Sequence, residues 1–393
     1  MVYLTMTAEI AIHAELLDQN AREQIELIRH HPAFEGRIAI MPDAHAGAGC
    51  VIGFTGRFGC GVIPNIVGVD IGCGVAAVPL ARPGRIDFAA LDRFIRQQIP
   101  LGMTSRTNDR FLREESLAKS LITQAAQLCK RIEAEFYQAE KIGKFIPPLL
   151  QLGTLGGGNH FIEIGREQVS DRLYLMVHSG SRNLGKRVAE LFQAKARRFT
   201  EQRQIQVPRG LEYLPQQEGG GDYIRCMQAA QAYARLNRRF MLAIMLGFFG
   251  QELDEAQVVE SVHNYISEQD GLVRKGAISA HAGERVIIPL NMADGTILGT
   301  GKGNPAYNHS APHGAGRLHG RREMFRRLKE GQFNMRQYAD SMQHVFSTSI
   351  TRDTFDESKF AYKPFTAIEQ HLQETVEIGQ ILQPVYNLKA AGD

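Results

Sequence analysis

A carboxylate and a thiol lie three residues apart in the stretch "GVDIGCGV", at Asp70 and Cys73. The glycines around them allow a short loop to bring both side chains to one point. Each residue alone has an ordinary structural explanation, since an aspartate often caps a turn and a lone cysteine is usually a small buried hydrophobe. The pair therefore gains a chemical meaning only if other ligand-type side chains lie beside it.

Five of the thirteen histidines stand where a strand-like apolar run meets glycine, serine or asparagine: His45, His160, His178, His263 and His313. Side chains at such strand ends can converge on a site while the scaffold stays rigid. One histidine there is more often structural than a ligand. Together with the carboxylate and the thiol, however, histidines form a ligand set of oxygen, sulfur and nitrogen donors that suits Zn, Mn or Fe. The spacing does not choose the metal, and it lacks the paired Cys-x-x-Cys motif of structural zinc sites.

The segment "GKGNPAYNHSAPHGAGR", residues 301–317, has the texture of a phosphate-binding loop. It lacks the Gly-Lys-Ser/Thr ending of a P-loop, and the alternative interpretation is a flexible turn. Glycines on either side of Ala315 nevertheless allow close backbone approach, and Arg317 supplies a rigid donor fork suited to a phosphate. His313 precedes them and is a candidate nucleophile if a phosphorus centre is held there.

Two basic runs follow these candidate motifs directly, at residues 181–199 and 317–329, and each contains six arginines and lysines. A charged run on a helix is usually a solvated face. These two lie where a polyanion bound at the site would pass, which favours nucleic-acid contact.

The composition indicates a globular protein, with 393 residues, 44% apolar residues and a net charge of only +3. Five cysteines without a disulfide-like pattern, and an N-terminus without a signal-like segment, predict a reducing cytoplasm. The most apolar stretch, "FMLAIMLGFF" at residues 240–249, is too short to span a bilayer, so no membrane span is expected.

The elements that must position these side chains are mixed in type. Apolar periodicity predicts helices over residues 14–30, 87–98, 111–141, 184–203 and 222–253, with a basic helix within 317–330. Strands are predicted at residues 37–43 and 381–389, and short strands with tight turns between 47 and 74. Strands in blocks and long helices favour an α+β fold, and the absence of a long linker favours one domain over 1–393.

Seven motifs together resemble the RtcB-type RNA ligases, from about residue 35 to the C-terminus: "MPDAHAGAG", "VGVDIGCGV", "LGTLGGGNHFIE", "VHSGSR", "VHNY", "RKGAISA" and "HGAGR". The resemblance implies a single compact α+β domain with packed β-sheets flanked by helices. It also implies joining of an RNA 3′-phosphate or 2′,3′-cyclic phosphate to a 5′-hydroxyl, using GTP and two manganese ions.

By this resemblance Cys73 bridges both metals, Asp70 and His160 complete one site, and His178 and His263 complete the other. The same resemblance makes His313 the nucleophile that carries GMP, and gives Asp43 a role near the metals or the attacking hydroxyl. It implies nucleotide contacts at Asn159, His160, Phe161, Ile162, Glu163, His263, Asn264, Pro289, Leu290, Asn291, Met292, Thr296, His313, Gly314, Ala315, Gly316 and Lys389.

The chain departs from the family pattern at two places. Leu290 and Asn291 replace a glycine and a serine, and Gly320 replaces a serine after "HGAGR". Both places concern nucleotide or phosphate contacts, whereas the metal ligands and His313 are kept, so an active enzyme of a divergent branch is expected. The alternatives are a metal-dependent phosphoesterase without guanylyl transfer and, more weakly, a non-enzymatic RNA-binding protein. The natural RNA, the oligomeric state and any activating protein partner are left open.

Overall fold

The computed structural model describes residues 8–81, 84–113, 117–138 and 146–390. Its strands are β1 (Glu9–Ile12), β2 (Phe34–His45), β3 (Ile52–Phe58), β4 (Gly74–Leu80), β5 (Phe161–Glu167), β6 (Leu173–Ser179), β7 (Val259–Val262), β8 (Asn264–Ile266), β9 (Leu272–Lys275), β10 (Ala277–Ser279), β11 (Arg285–Asn291), β12 (Gly295–Gly301), β13 (Ser310–Pro312) and β14 (Val376–Lys389).

The strands form three sheets within the described residues. The largest sheet has the order β11-β12-β14-β5-β6-β4-β7, the second has the order β1-β2-β3-β9-β8, and β10 pairs with β13. All of these pairs are antiparallel except β1 with β2. Short strands in packed antiparallel sheets, combined with long helices, confirm the predicted α+β class.

The helices are α1 (Gln19–Arg29), α2 (Pro64–Val67), α3 (Phe88–Gln98), α4 (Lys119–Ile132), α5 (Pro148–Gln151), α6 (Arg182–Gln202), α7 (Gly220–Phe248), α8 (Arg321–Lys329), α9 (Met335–Ser341) and α10 (Glu369–Thr375). The C-terminal part of α7 contains the stretch "RRFMLAIML", which is buried on every side. This part of α7 therefore lies inside the core, behind the strands that carry the site.

Four sequence predictions are changed by the structure, and the helix predicted over 222–253 ends at Phe248. The first helix begins only at Gln19, because the Asp18 carboxylate accepts a hydrogen bond from the Ala21 amide at 2.7 Å and caps the helix there. Residues 64–67, predicted to be extended, form α2, since Pro64 supplies a backbone angle that favours a first helical turn. The helix predicted over 111–141 is shorter: α4 continues as a π-helical turn, Glu133–Gln138, and 114–116 and 139–141 lie outside the described residues.

Candidate active site

Cys73, His160 and His178 bring their ligand atoms within 4.8 Å of one another, in a buried cluster. The Cys73 Sγ atom lies 3.4 Å from His160 Nε2 and 3.3 Å from His178 Nε2. Each residue stands at the end of a strand of the large sheet: Cys73 precedes β4, His160 precedes β5, and His178 is near the end of β6. Because these strands are neighbours, their ends meet, as the sequence predicts.

Asp70 and His263 lie at the edge of the same cluster. The Asp70 Oδ2 atom is 2.9 Å from His160 Nε2, and His263 Nε2 is 3.4 Å from His178 Nε2. His263 is held there by its own backbone, since its amide donates to the Cys73 carbonyl at 2.9 Å. The structure thus brings all five predicted metal ligands together.

The tautomer of His178 is fixed by the backbone. Its Nδ1 atom lies 3.1 Å from the Asn159 carbonyl oxygen, which can only accept, so Nδ1 carries the proton. The Nε2 lone pair is then left facing the Cys73 sulfur and His263. Burial lowers the pKa of both His178 and His263 well below the usual value, and a neutral imidazole is the form that binds a metal.

The pKa values of the acid and the thiol of the cluster shift in opposite directions. Burial raises the pKa of Asp70, but His160 and a hydrogen bond from Cys73 lower it by more, to about 2. Burial and the Asp70 charge together raise the pKa of the Cys73 thiol well above its usual value. A bound cation would reverse this, because coordination deprotonates a thiol. His160 Nδ1 is buried without a hydrogen-bond partner, so polar atoms here lack protein partners. Clustered sulfur, nitrogen and carboxylate donors of this kind fit a divalent metal.

Asn264, predicted as a nucleotide contact, holds the ligand loops together. Its side-chain nitrogen donates to the Asp70 carbonyl at 3.2 Å, and its side-chain oxygen accepts from the Gly276 amide at 3.1 Å. Its backbone carbonyl also accepts from the Gly72 amide at 2.8 Å. Both ends of the Asn264 amide are therefore occupied by the scaffold.

His313 lies next to the metal-binding cluster, with its ring centroid 4.9 Å from that of His263. Its Nδ1 atom is 2.7 Å from the Asp43 Oδ2 atom, which also accepts from the His313 amide at 3.2 Å. Because a carboxylate accepts, Nδ1 carries the proton and the Nε2 lone pair is free. Asp43 is fully buried, and the contact fixes the orientation of the His313 ring.

The surroundings of Asp43 depend on a lysine and a glycine. The buried Lys363 ammonium donates to the Pro42 and Ala44 carbonyls at 3.1 and 2.7 Å, on either side of the carboxylate in sequence. Gly316 packs so closely that a Cβ atom there would overlap the Asp43 carbonyl, and its φ is +75°. The "HGAGR" motif thus needs this glycine so that it can lie against the end of β2.

A cavity of about 260 Å³ opens beside His313. Its lining includes most of the predicted nucleotide contacts: Asn159, Phe161, Glu163, Pro289, Leu290, Asn291, Met292, Thr296, Gly314, Ala315, Gly316 and Lys389. His178 and His45 also line it, so the cavity reaches the metal-binding cluster. Burial lowers the pKa of His45 to about 4, and its Nδ1 atom donates to the Asp43 carbonyl at 3.0 Å.

Ile162 is a predicted nucleotide contact whose side chain does not line the cavity. It is fully buried in the main hydrophobic core, whereas Phe161 and Glu163 line the cavity. Successive side chains of a strand point to opposite faces, and all three residues belong to β5. The alternation in "HFIE" was the signal that could have separated Ile162 from its neighbours.

Glu163 is a buried carboxylic acid in the wall of the cavity. Thr296 donates to its Oε1 atom at 3.2 Å and Asn387 donates to its Oε2 atom at 2.8 Å. Burial raises the pKa of Glu163 to about 7, although these hydrogen bonds and the Lys389 charge act in the opposite direction. Glu163 is therefore the acid in this wall whose charge changes near neutral pH.

Glu357, which sequence reasoning missed, gathers the basic groups of the cavity. It accepts hydrogen bonds from Lys389 at 3.0 Å, from Arg317 at 3.1 Å and from the Tyr362 hydroxyl. Burial raises the pKa of Glu357, but Lys389 and Arg317 lower it by more, to about 2. Arg317, predicted to bind a phosphate, donates to this acid and to the His319 and Asp356 carbonyls. No short-range motif reveals Glu357, because Arg317 and Lys389 are remote from it in sequence.

The departures from the family pattern are accommodated locally. Leu290 is buried in a small core that includes Ala315, so its side chain packs behind the "HGAGR" motif. The Asn291 side-chain oxygen accepts from the Ala293 and Asp294 amides at 3.0 and 2.9 Å, which closes a turn. Gly320 is the N-cap of α8, and no side chain caps this helix. Leu290 and Asn291 both remain part of the cavity wall.

Two arginines of the second basic run pair with acids within or directly after their own helix. Arg326 contacts Glu323 and Glu330 at 2.7 and 2.8 Å, and Arg327 contacts Glu323 at 2.7 Å. Arg321 differs: it lines the cavity, its side chain is 43% exposed, and its nearest acids are 3.7 and 3.8 Å away. Arg321 is therefore better placed than Arg326 or Arg327 to meet an anion.

The fold and the site define an α+β protein in which a buried cysteine–histidine cluster, able to hold a metal, adjoins a cavity with an oriented histidine. The family model described as tRNA-splicing ligase RtcB matches residues 24–390. The chain belongs to this family.

The chain aligns with curated relatives over most of their length. The RNA-splicing ligase RtcB of Escherichia coli strain K12 is 30% identical over 397 residues, covering 95% of each chain. The tRNA-splicing ligases RtcB of Methanococcus maripaludis and Archaeoglobus fulgidus are 28% and 27% identical, covering 77% and 80% of each chain. Over the described ranges, the structure contains no helix with the length and apolar character needed to cross a membrane.

Proposed function

We propose that this protein is an RNA ligase that joins a 3′-phosphate or 2′,3′-cyclic phosphate end to a 5′-hydroxyl end through a histidine–GMP intermediate. One observation carries the mechanism: the 2.7 Å contact between Asp43 and His313 Nδ1 leaves Nε2 free, beside a cavity that reaches the metal-binding cluster. The RNA substrate is supported by family membership and by relatives named RNA-splicing ligases.

In the first step, His313 Nε2 attacks the α-phosphate of GTP. A nitrogen–phosphorus bond forms, the bond to pyrophosphate breaks, and pyrophosphate leaves. The Nδ1 proton stays on the ring, where the Asp43 carboxylate stabilises the positive charge that develops. Burial of Asp43 excludes water from this contact and fixes the ring orientation.

GMP then passes from His313 to the RNA 3′-phosphate, which becomes an activated anhydride. The 5′-hydroxyl of the second RNA attacks that phosphorus, GMP leaves and the hydroxyl proton is released to solvent. A cyclic phosphate must first be opened by hydrolysis to a 3′-phosphate. The protein nucleophile is needed only for the first transfer, so the last step depends on positioning.

Guanine is the base whose edge suits Glu163 and Lys389. Guanine presents ring N–H and amino donors beside the O6 acceptor, and an ionised carboxylate next to an ammonium is complementary to that pattern. The Lys389 ammonium lies 3.3 Å from the Asn159 carbonyl and above the Phe161 ring, at 5.5 Å from its centroid. Both side chains line the same cavity, and the Lys389 charge acts on Glu163.

Two manganese ions held by Asp70, Cys73, His160, His178 and His263 would neutralise phosphate oxygens when bound, as divalent ions do in phosphoryl transfer. The donor set suits manganese, zinc or iron, and manganese is the metal that we propose.

The alternative function is a metal-dependent phosphoesterase, which the metal-binding cluster alone would favour. Matched RNA oligonucleotides that differ only at the 3′ end separate the two functions. A ligase is expected to join 3′-phosphate and cyclic phosphate ends to a 5′-hydroxyl only when GTP is present, and to leave a 3′-hydroxyl end unjoined. Release of inorganic phosphate without a joined product, with or without GTP, would favour the phosphoesterase.

A further inference from the structure

Two adjacent residues in the middle of α7, Asn237 and Arg238, are fully buried although both are strongly polar. Burying an arginine costs free energy unless its charge is paired and its donors are used. Helix α7 contributes no predicted metal ligand or nucleotide contact. The use made of these two side chains therefore needs a separate explanation.

Arg238 contacts the chain beside three metal ligands. Its Nη1 atom donates to the Gly72 carbonyl at 2.8 Å and to the Ser179 carbonyl at 2.7 Å. Gly72 precedes Cys73, and Ser179 follows His178. Its Nε atom donates at 2.7 Å to Glu260, on the strand that leads to His263. One guanidinium thus connects the backbone segments that hold a thiol and two imidazoles.

Asn237 contacts the segment that leads to His160. Its side-chain oxygen accepts from the Thr154 amide at 3.1 Å, and its nitrogen donates to the Thr154 carbonyl at 3.0 Å. The same nitrogen lies 3.1 Å from the Ser179 hydroxyl and 3.3 Å from the Gly180 carbonyl. Asn237 therefore ties the glycine-rich loop before His160 to the end of β6.

We propose that Asn237 and Arg238 are positioning residues for the metal centre, which set the separation of its thiol and imidazole ligands from behind the sheet. The inference depends on the metal-binding part of the proposed function. Groups that hold metal ligands from outside typically contribute 10–100-fold to metal affinity. Because these two residues contact backbone beside the ligands, their loss should alter the geometry at Cys73 as well as the affinity.

Arg239 provides a matched control. It is almost as buried as Arg238 and also pairs with Glu260, at 3.2 Å, but its other partner is Glu255 rather than a ligand-bearing loop. Arg238→Gln and Arg239→Gln each remove one arginine from Glu260. Only the first removes the hydrogen bonds to Gly72 and Ser179.

The test is a titration of the full chain with Co²⁺ alone, read by the thiolate-to-cobalt absorption band. Arg238→Gln is expected to bind Co²⁺ about 10–100-fold more weakly, with a weaker or shifted band, while Arg239→Gln matches the wild type. Thermal unfolding checks that both variants fold, and Cys73→Ala identifies the band. If Arg238→Gln does not fold, Asn237→Ser carries the same expectation.

Wild-type affinity and an unchanged band in the folded variant would overturn the inference. That result would leave guanylylation and ligation by the wild type untouched, so the proposed function would survive. Conversely, a wild type that binds Co²⁺ through Cys73 but makes no GMP adduct would contradict the ligase and leave the positioning role intact.

Discussion

The Nδ1 atom of His313 lies 2.7 Å from the Oδ2 atom of Asp43, although 270 residues separate them in the chain. Asp43 stands near the end of a strand of the five-stranded sheet, and His313 directly follows the short strand β13. The contact fixes which ring nitrogen carries the proton. It therefore decides whether His313 can act as a nucleophile.

Replacing Asp43 by asparagine should slow guanylylation by His313 by about 10²–10⁴-fold, the range that a positioned proton-handling group contributes. An amide removes the negative charge that stabilises the developing imidazolium. The measurement is the rate of GMP adduct formation, with metal content as the control. A wild-type rate for Asp43→Asn, at unchanged metal content, would contradict the role given to Asp43.

Replacing Cys73 by alanine should lower metal content and abolish ligation, because the sulfur lies between His160 and His178 at 3.4 and 3.3 Å. Serine should also fail, since a hydroxyl is a harder and poorly ionised ligand. Metal analysis of the purified variants, together with a ligation assay, checks this. Full ligation by Cys73→Ala with normal metal content would make Cys73 a structural residue.

The buried Glu163 predicts a pH dependence of stability. Its pKa is raised in the folded chain, from 4.5 to about 7, so its contribution is complete below about pH 4.5 and is lost as pH rises through 7. The shift corresponds to roughly 3 kcal/mol of unfolding free energy. Urea unfolding of the wild type and of Glu163→Gln at several pH values measures it. If Glu163→Gln loses as much unfolding free energy over this pH range as the wild type, the pH dependence comes from another group.

Arg326 and Arg327 should matter little for RNA binding, because Glu323 and Glu330 already pair with them. Changing both to alanine should leave the salt dependence of RNA affinity nearly unaltered. Arg321→Ala should reduce the slope by about one, as expected for one lost phosphate contact. Binding measured over a series of salt concentrations compares the two variants. A weaker salt dependence of RNA affinity in the double variant would indicate that RNA contacts α8 at Arg326 and Arg327.

Much of the candidate site follows from the sequence, for reasons visible in particular residues. Asp70, Cys73 and the histidines stand at strand ends, and neighbouring strand ends must meet. The α+β class follows in the same way from the mixture of short strands and long helices. In "HFIE", strand alternation also separates Glu163 from Ile162, although the family resemblance alone treats them alike.

Other features depend on contacts between remote parts of the chain. Glu357 reaches Lys389 and Arg317, Lys363 fixes the backbone around Asp43, and Arg238 joins Gly72 to Ser179. A buried charged residue looks like any surface charge in the sequence, because only the fold decides what surrounds it. Two local signals also escaped the prediction, because it relied on apolar periodicity. Asp18 caps the first helix, which therefore begins at Gln19, and Pro64 favours the first turn of α2.

The most direct measurement is the site of GMP attachment. The protein is incubated with Mn²⁺ and GTP labelled on the α-phosphate, and the labelled peptide is mapped by mass spectrometry. An acid-labile GMP on His313 is expected in the wild type and none in His313→Asn, which should still seal RNA that already carries a 3′-guanylyl cap. A stable GMP adduct on the His313 variant, or on another residue of the wild type, would contradict the central claim.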